Sequence, residues 1–527
     1  MDTTKRNIAL IVVISGVILV PGLFLRDFSP INELKYILIA KEMILRNNWF
    51  ILFEHGQFYT DKPPFFFWLI NLTKLLTGTY SLGVIGFFSV IPSTVVAISA
   101  YHLMKRYGDV KSALPASLML MSTAGFLVAG SCIRMDMLMN CFITLSLIIF
   151  FHVYGRYQRT GVVERKSYLI YLFIGLAILI KGPAGLIVPL LTITTFLFLE
   201  KDIGFVKKIN AGTGILIVMT LFLAWIIPAA ISGGMEYLDL LLIKQTVGRG
   251  INAYAHKEHW YYYLEKSPEF FFPWFLLFAL AVCYYLFNLK KANPFEKFLW
   301  AWVTSSFVFF SLVSSKLEIY LLPIVFPLPL LSLCLLKREI TRQRVWLLIS
   351  IGLPAVVLAL LPLALPVLDD KIRLINLRAD FFVASILVSL CSVACMSYIW
   401  KKNSRKAIVL LTAAIFILTI NGEMKATKYN PVLGFKDMSR VINRIQAEEA
   451  VGKIFTYRLS EGKYMSVYVD QQVEFITGLE PVEKALLTEN YVLVFGKAKH
   501  VNYLLRLEHA KILYKNAMYV LVGVSRS

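Results

Sequence analysis

Long runs of apolar residues alternate with short polar segments along most of the chain. A helix that crosses a bilayer needs roughly 20 mostly apolar residues. Runs of about that length lie at residues 8–25, 81–104, 112–130, 137–154, 168–181, 183–199, 211–230, 270–288, 298–314, 319–336, 345–366, 381–400 and 407–420. The pattern predicts a polytopic α-helical membrane protein with about 13 transmembrane helices.

The last hundred residues follow a different pattern, in which the apolar runs are short and rich in β-branched and aromatic residues. Polar stretches of helical character separate these runs, as expected for a mixed α/β unit. The runs are "KIFTY", "SVYVD", "QVEFI", "YVLVFG" and "MYVLVGV". We therefore predict a transmembrane domain over residues 1–420 and a small α/β domain over residues 421–527.

Basic residues are gathered in short clusters between alternate apolar runs. Cytoplasmic loops of membrane proteins carry such an excess of lysine and arginine. The clusters are Lys105-Arg106, Lys207-Lys208, Lys290-Lys291, Lys337-Arg338 and Lys401-Lys402. This pattern predicts a cytoplasmic N-terminus, with the loops at about 26–80 and 231–269 and the C-terminal domain on the outer side.

The composition agrees with a membrane protein and argues against nucleic-acid-binding, nucleotide-binding and cysteine-based zinc proteins. Hydrophobic residues make up 58% of the 527 residues and charged residues 17%, against about 25% charged in soluble domains. The net charge of +21 is explained by the basic clusters, so nucleic acid is not a predicted partner. The chain contains no G-x-G-x-x-G, P-loop or C-x-x-C sequence, so we predict no nucleotide cofactor and no cysteine-based zinc site.

The first outer loop contains a helical pattern. The stretch "INELKYILIAKEMILRN" places Ile31, Leu34, Leu38 and Leu45 on one side of a helix over residues 31–47. This spacing predicts an amphipathic helix lying at the membrane surface. A peripheral structural helix without any chemical role is the alternative.

Ionisable residues recur on the predicted outer side, next to the membrane. Charges at membrane depth are costly and tend to mark sites, although single lysines at helix ends also extend to the membrane surface for solvation. Acids and bases occur here together, which suits a phosphate group beside a general base. They are Arg26, Asp27, Glu33, Lys35, Asp61, Lys62, Arg134, Asp136, Lys181, Lys316 and Glu318.

Several motifs, taken in order, resemble a known enzyme class. The motifs are "NELKYILIAKEM" from Asn32, "YTDKPP" from Tyr59, "CIRMDM", "KGPAG", "AHKEHWYYY" followed by "PW", and "SKLEIYLLP". Together they cover roughly residues 5–335 and resemble the GT-C membrane glycosyltransferases. The nearest group is the bacterial 4-amino-4-deoxy-L-arabinose lipid A transferase family, which is related to protein O-mannosyltransferases.

The resemblance implies an integral enzyme of the bacterial inner membrane. Such an enzyme transfers a sugar, with inversion, from a polyprenyl-phosphate donor at the outer face. Its acceptor would be a lipid (lipid A-like), a glycan or a protein. A polytopic transporter or flippase for a lipid-linked sugar is the alternative from another class, and a structural membrane subunit is a third.

The resemblance also implies roles for individual residues. Lys62 would bind the lipid phosphate, helped by a hydrogen bond from Tyr59, while the double proline after Lys62 fixes the loop as it enters the second span. Asp61 with His256 would hold a divalent metal ion such as Zn²⁺, Mg²⁺ or Mn²⁺. The further residues predicted to contact phosphate or sugar are Lys35, Arg249, Lys257, Lys316 and Tyr320.

One position departs from the family pattern. Asn32 stands where the family has its signature acid, and asparagine cannot act as a general base. The candidates for that role are Glu33, Asp136 and Asp27, with Asp136 preferred because it also matches a family acid. The sugar and the acceptor are left open by this change.

Overall fold

The computed structural model describes residues 3–241, 258–338, 343–371, 376–469 and 471–526. The helices are α1 Thr3–Leu25, α2 Glu33–Leu45, α3 Phe65–Thr77, α4 Leu82–Ile85, α5 Phe87–Tyr107, α6 Ala113–Met121, α7 Ala124–Ser131, α8 Met135–Thr160, α9 Tyr168–Lys181, α10 Ala184–Leu199, α11 Phe205–Lys208, α12 Ala211–Leu238, α13 Tyr262–Phe270, α14 Phe275–Asn288, α15 Pro294–Leu312, α16 Leu322–Val325, α17 Pro327–Lys337, α18 Gln343–Leu347, α19 Leu353–Ala359, α20 Leu361–Lys371, α21 Leu377–Trp400, α22 Ser404–Leu433, α23 Lys436–Glu448, α24 Glu480–Leu486 and α25 Val501–Leu504.

The helical part is a bundle whose apolar segments lie largely where the sequence places them. Within the described residues, six helices are long and apolar enough to cross a membrane, or up to nine if three bent pairs count as one span each. The predicted number of about 13 is therefore not confirmed. The predicted segments outside those nine are helical over much of their length; they are 168–181, 183–199, 270–288 and 298–314.

Bends inside the spans have local causes. The largest, at 65°, separates the helical stretches Val110–Met121 and Ala124–Ser131. At this break the Ser122 and Thr123 hydroxyls donate to carbonyls of the preceding turn, at 2.8 and 2.9 Å. Serine and threonine that hydrogen-bond to the backbone in this way weaken the helix and bend it. Hydrophobic periodicity does not reveal such a break.

The helix predicted at the membrane surface forms, as α2, but it is more enclosed than expected. Leu34 and Leu38 are buried, whereas Ile31 and Leu45 are exposed. The carboxylates of Glu33 and Glu42 are buried as well. The helix is packed between α3 and a 3₁₀ segment, Ser460–Val467, so the predicted division into one apolar and one polar side is wrong.

The C-terminal residues form a five-stranded mixed sheet, as predicted in outline. The strand order is β4-β3-β5-β7-β6, in which β3 is parallel to both neighbours and β7 is antiparallel to both of its own. The strands are β3 Lys453–Tyr457, β4 Val473–Ile476, β5 Tyr491–Lys497, β6 Ala510–Lys515 and β7 Tyr519–Ser525, while Phe53–Glu54 (β1) and Gln57–Phe58 (β2) form a separate hairpin.

Both faces of this sheet are covered. Ile454 and Leu493 belong to the core that is continuous with the helical bundle, whereas Phe455 and Val494 pack in a second core on the opposite face. Burial on both faces explains why β5 and β7 read as unbroken apolar runs.

Two details of the predicted domain differ. The first two residues of "SVYVD" lie in the 3₁₀ segment Ser460–Val467 and Tyr468 lies in the turn after it, so the predicted strand is wrong over these residues, while Asp470 lies outside the described residues. The edge strand β6 is not among the predicted strands. The helix α22 also continues through residue 420 and ends at Leu433. The division into two domains stays a prediction.

Glu54 in the β1–β2 hairpin joins the sheet domain to the helical part. Its carboxylate accepts hydrogen bonds from Lys463 (2.9 Å) and Tyr464 (2.8 Å) of the 3₁₀ segment, and it pairs with Lys35 of α2 at 2.9 Å. His55 stacks on the Tyr464 ring. Burial opposes ionisation, but the Lys35 and Lys463 ammonium groups and the Tyr464 hydroxyl outweigh it, so the pKa of Glu54 falls to about 2.

We expect Glu54→Gln to loosen this junction and to lower the free energy of unfolding by about 1–3 kcal/mol at neutral pH. Because the folded-state pKa lies below the ordinary 4.5, the stabilisation by wild-type Glu54 is complete above that pH and is lost as pH falls toward about 2. Thermal unfolding of the detergent-solubilised protein, compared between neutral and acidic buffer, measures both effects.

Glu474→Gln is the matched control, since Glu474 pairs with Lys453 at 3.0 Å in an exposed position on the sheet. An exposed pair contributes about 0–1 kcal/mol. Equal destabilisation by both substitutions, or a Glu54→Gln effect that persists undiminished near pH 2, would contradict the proposed role of Glu54.

Candidate functional site

The predicted outer charges meet at one end of the helical bundle. The end of α1, the start of α2 and the connection between α7 and α8 are joined there by hydrogen bonds of Arg26 and Glu33. Lys181, at the end of α9, reaches Asp136 at the start of α8. Segments far apart in sequence thus form one polar region at a single end.

Glu33 is the most enclosed carboxylate of this region, with 1% of its surface exposed. Its two oxygens accept both terminal nitrogens of the Arg26 guanidinium, at 2.6 and 2.5 Å. They also accept the backbone N–H groups of Ser29 and Ile133, each at 2.7 Å. Four donors therefore surround Glu33, which leaves it poorly suited to accept a proton from a substrate.

Asp136 lies between two cations. Arg134 donates to Oδ2 at 3.1 Å, and the Lys181 ammonium contacts Oδ1. The carboxylate is 1% exposed. Lys181 also lies over the Tyr320 ring, 4.6 Å from its centroid. Asp136 thereby fixes the position of Lys181.

The backbone after Lys181 requires glycine. Gly182 has φ 80° and ψ −139°, a conformation that side chains with a Cβ rarely adopt. It ends α9, and Pro183 follows as the N-cap residue of α10. The "KGP" sequence thus turns the chain directly after the lysine and places the ammonium at the end of the bundle.

A cavity of about 320 Å³ opens beside Lys181. Its polar end is formed by Asp61, Lys62 and Lys181, and its wall by apolar side chains of α10 and α12. The lining residues are Thr60, Asp61, Lys62, Pro63, Ile178, Lys181, Gly182, Pro183, Leu186, Val218, Met219, Phe222, Trp225 and Leu241. Two lysines and a long apolar wall in one cavity suit an anionic headgroup attached to a hydrocarbon chain.

The loop that carries Lys62 is held at both ends. Tyr59 is buried, its backbone N–H donates to the Leu52 carbonyl at 2.8 Å, and Lys35 lies over its ring at 4.7 Å. After Lys62, Pro64 is the N-cap residue of the 13-residue helix α3. The double proline therefore begins α3, and the prediction that it leads directly into the second span is wrong.

Asn32 and Asp27 occupy less central positions. Asn32 is the N-cap residue of α2, and its side chain makes no capping hydrogen bond. Asp27 faces the C-terminal part of the chain, where its backbone N–H donates to Asn430 at 2.9 Å and Lys436 lies 4.0 Å from its carboxylate. Burial raises the pKa of Asp27, partly offset by Lys436.

Lys316 is buried, with 3% exposure, and donates to the carbonyls of Val313 (2.5 Å) and Glu258 (3.2 Å). Burial lowers its pKa. These contacts connect the loop after α15 with the loop before α13. The remaining predicted contacts, Arg249, His256 and Lys257, lie outside the described residues.

Comparisons with known proteins agree with this arrangement. The sequence profile of the dolichyl-phosphate-mannose-protein mannosyltransferase family matches residues 61–227, which include Lys62, Asp136 and Lys181. A solved structure of ArnT from Cupriavidus metallidurans bound to undecaprenyl phosphate superposes with a TM-score of 0.76 at 16% identity, covering 99% of this chain and 98% of that one.

The chain has the same fold as that ArnT structure. The resemblance drawn from the sequence motifs is thereby confirmed, and the chain is a multi-pass membrane protein.

Two curated relatives carry the name undecaprenyl phosphate-alpha-4-amino-4-deoxy-L-arabinose arabinosyl transferase. The protein from Pseudomonas fluorescens is 26% identical over 306 residues, which cover 57% of this chain and 54% of the relative. The one from Shewanella sediminis is 26% identical over 408 residues, covering 76% of this chain and 72% of the relative. With the Pseudomonas relative, the matched region spans only about half of the relative's length.

The predicted metal site stays a prediction. Of its two ligands, Asp61 lines the cavity and His256 lies outside the described residues. Over the part of the chain that the structure describes, no group of three or more His, Cys, Asp or Glu side chains could hold an ion.

Two residues with central structural contacts, Lys181 in the candidate site and Glu54 in the hairpin junction, are not assigned these roles by the sequence. Lys181 was recognised only as one of many outer charges, although the glycine and proline after it are a signal for a fixed position. Glu54 gave no signal, because a single acid in a polar loop does not reveal partners that are 409 and 410 residues away.

We expect Glu33→Gln to destabilise the protein by about 3–5 kcal/mol, because it leaves the enclosed Arg26 guanidinium without its anion. Thermal unfolding in detergent measures the change. Glu318→Gln is the control, since Glu318 pairs with Lys266 at 3.0 Å in an exposed position and should cost less than about 1 kcal/mol. Similar losses for both variants would show that the Arg26–Glu33 pair has no special structural role.

Proposed function

We propose that the chain is an integral membrane glycosyltransferase that moves a sugar from a polyprenyl-phosphate donor to a lipid (lipid A-like), glycan or protein acceptor. The observation that carries this proposal is the cavity in which Lys62 and Lys181 meet at the end of an apolar wall. The names of the curated relatives and the undecaprenyl phosphate bound to the solved ArnT support it.

The donor would bind with its phosphate at the polar end of the cavity. Lys62 supplies a positive charge there, and Lys181 supplies a second one that it shares with Asp136. The polyprenyl chain would lie along Met219, Phe222 and Trp225 toward the membrane interior. Lysine ammonium groups aimed at the bridging phosphate stabilise the charge that grows on it as it leaves. Arg249, Lys257 and Tyr320 stay proposed contacts, as the family resemblance implies.

Transfer would proceed by one displacement at the anomeric carbon. An acceptor hydroxyl oxygen forms the new bond on one side while the bond to the phosphate oxygen breaks on the other, so the configuration inverts. The electron pair of the broken bond leaves with the lipid phosphate, and the hydroxyl proton passes to a carboxylate. Asp61 is the one acidic residue among the described residues that line the cavity. We therefore propose that its carboxylate accepts the proton.

The other candidate acids would support the site without taking the proton. Asp136 is enclosed and would hold Lys181 in place, and Glu33 would hold the α1–α2 corner. This differs from the preference for Asp136 as the base that the sequence suggested. A divalent metal held by Asp61 and His256 is the alternative role for Asp61: the metal would add positive charge beside the phosphate, and Asp61 would then not take the proton.

The proposed orientation places this site at the outer face of the bacterial inner membrane. The N-terminus would be cytoplasmic and the sheet domain would lie outside. The basic clusters, which the positive-inside tendency assigns to the cytoplasm, support this orientation.

We expect Lys62→Gln and Lys181→Gln each to lower transfer about 100-fold or more, the range found for removing a donor that stabilises developing charge. Both should also weaken binding of undecaprenyl phosphate, measured by equilibrium binding in detergent. Lys511→Gln, in the edge strand β6, is the control and should leave both measurements unchanged. Normal phosphate binding by both cavity variants would overturn the assignment of the cavity.

The proton-transfer assignment predicts a different pair of results. Asp61→Asn should lower transfer about 100-fold while undecaprenyl phosphate still binds, whereas Asn32→Ala should retain most of the activity. The assay is transfer of labelled sugar from the polyprenyl phosphate to lipid A or another supplied acceptor. Loss of transfer in Asn32→Ala with activity kept in Asp61→Asn would reverse the roles.

Transfer that proceeds in detergent, without a sealed compartment, would exclude the transporter alternative. A chain that moves a lipid-linked sugar between leaflets but yields no glycosylated acceptor would instead overturn the enzyme proposal.

A further inference from the structure

A second cavity lies at the end of the bundle opposite to the Lys62 cavity. Its volume is about 390 Å³. The lining residues come from the loop before α6, from the end of α17 and from the connection between α21 and α22. They are Ser112, Leu333, Leu336, Lys337, Lys401, Lys402, Asn403, Ser404 and Arg405.

The helix α22 sets the separation between the two cavities. Its first residue, Ser404, lines the second cavity, and near its other end Asn430 donates to the Leu25 carbonyl at 2.8 Å, next to Arg26 of the proposed active site. The 26 steps between these residues span about 40 Å at 1.5 Å per residue. The second cavity is therefore separate from the site that would bind the sugar donor.

The charge of this cavity has one sign. Four cationic side chains line it, and no acidic residue is among the described residues that form its wall. The nearby Asp109 carboxylate accepts from Ser112 at 2.7 Å and from Arg405 at 3.1 Å, so one of the four cations is already engaged. The N-terminus of α22 adds partial positive charge at the same place.

The position of the cavity favours a lipid over a small soluble anion. The cavity lies where α17, α21 and α22 have their ends, and all three belong to candidate membrane spans. An anionic headgroup at the lysines would thus lie at the membrane surface, with the partly buried Leu336 beside it. Basic pockets between transmembrane helices, on the side of the membrane that the positive charge marks, bind such headgroups.

We propose that this cavity binds the phosphate of an anionic phospholipid in the leaflet opposite to the proposed active site. The proposal needs neither the sugar donor nor the acceptor, so it stands or falls independently of the proposed enzyme activity. The phosphate group is the recognised chemistry, and the membrane lipid is the source to which we commit.

The test measures binding of fluorescent phosphatidylglycerol to the full chain in non-ionic detergent. Lys337→Gln/Lys401→Gln removes two cavity cations and spares Arg405, which holds Asp109. We expect affinity to fall about 25-fold, since each lysine near an anionic lipid surface contributes roughly a fivefold factor. The single Lys337→Gln variant should lose about fivefold, and it keeps the test open if the double variant does not fold.

The matched control is Lys290→Gln/Lys291→Gln, which removes the same amount of positive charge. Both lysines are exposed and lie outside the cavity. By the predicted topology they lie on the same side of the membrane as the cavity. Its affinity should stay within about twofold of the wild type. Equal losses in both double variants would overturn the proposal, because they would show attraction by the overall charge alone.

Two further probes identify the source of the phosphate. Phosphatidylcholine should bind at least about tenfold more weakly than phosphatidylglycerol. Inorganic phosphate at millimolar concentration should compete only weakly. Equal binding of the zwitterionic lipid, or complete displacement by inorganic phosphate, would each overturn the assignment to an anionic phospholipid.

Discussion

The proposed active site depends on one enclosed ion pair, between Arg26 and Glu33. Removing two charges from water is costly, and good geometry with further hydrogen bonds is needed to offset the cost. Here the guanidinium binds both carboxylate oxygens, and the backbone N–H groups of Ser29 and Ile133 complete the shell. Arg26 directly follows α1, Ser29 lies in the turn before α2, and Ile133 lies in the α7–α8 connection, so the pair fixes the corner on which α2 rests. Lys35 on α2 and, next to Ile133, the start of α8 with Asp136 take their positions from that corner.

The two ends of the bundle use charge differently. At the end with the Lys62 cavity, acids and bases are paired with one another, as in Asp136 with Arg134 and Lys181. At the other end, the cavity wall carries only cations among its described residues. Paired charges hold a rigid geometry in which a reaction can be positioned, whereas an excess of one sign attracts a counter-charge from outside the protein. The same residue types therefore serve two purposes in one chain.

Much of the fold could be read from the sequence because the length of an apolar run is a local property. The segments at 81–104, 137–154 and 381–400 lie within long helices of the structure. The bend in the segment at 112–130 could not be read, since it depends on the hydroxyls of Ser122 and Thr123 bonding to the backbone. The edge strand β6 was missed because its partly exposed sequence, "AKILYK", lacks the apolar run that marks β5 and β7. Of the candidate site, the sequence indicated several side chains that the structure brings together at one end of the bundle, but not their pairing. Arg26 and Glu33, for example, were both noted, yet nothing in the sequence shows that Ile133 completes their shell.

The junction at Glu54 has a consequence for how the protein is made. Lys35 is only 19 residues from Glu54 in the chain, but Lys463 and Tyr464 follow more than 400 residues later. At a synthesis rate of about 5–20 residues per second, roughly 20–80 seconds separate the appearance of the acid from the arrival of its last partners at the ribosome. During that interval the β1–β2 hairpin lacks these two partners. Synthesis of residues 463 and 464 therefore completes this corner of the protein, so a chain truncated before them would leave Glu54 with Lys35 alone of these three partners.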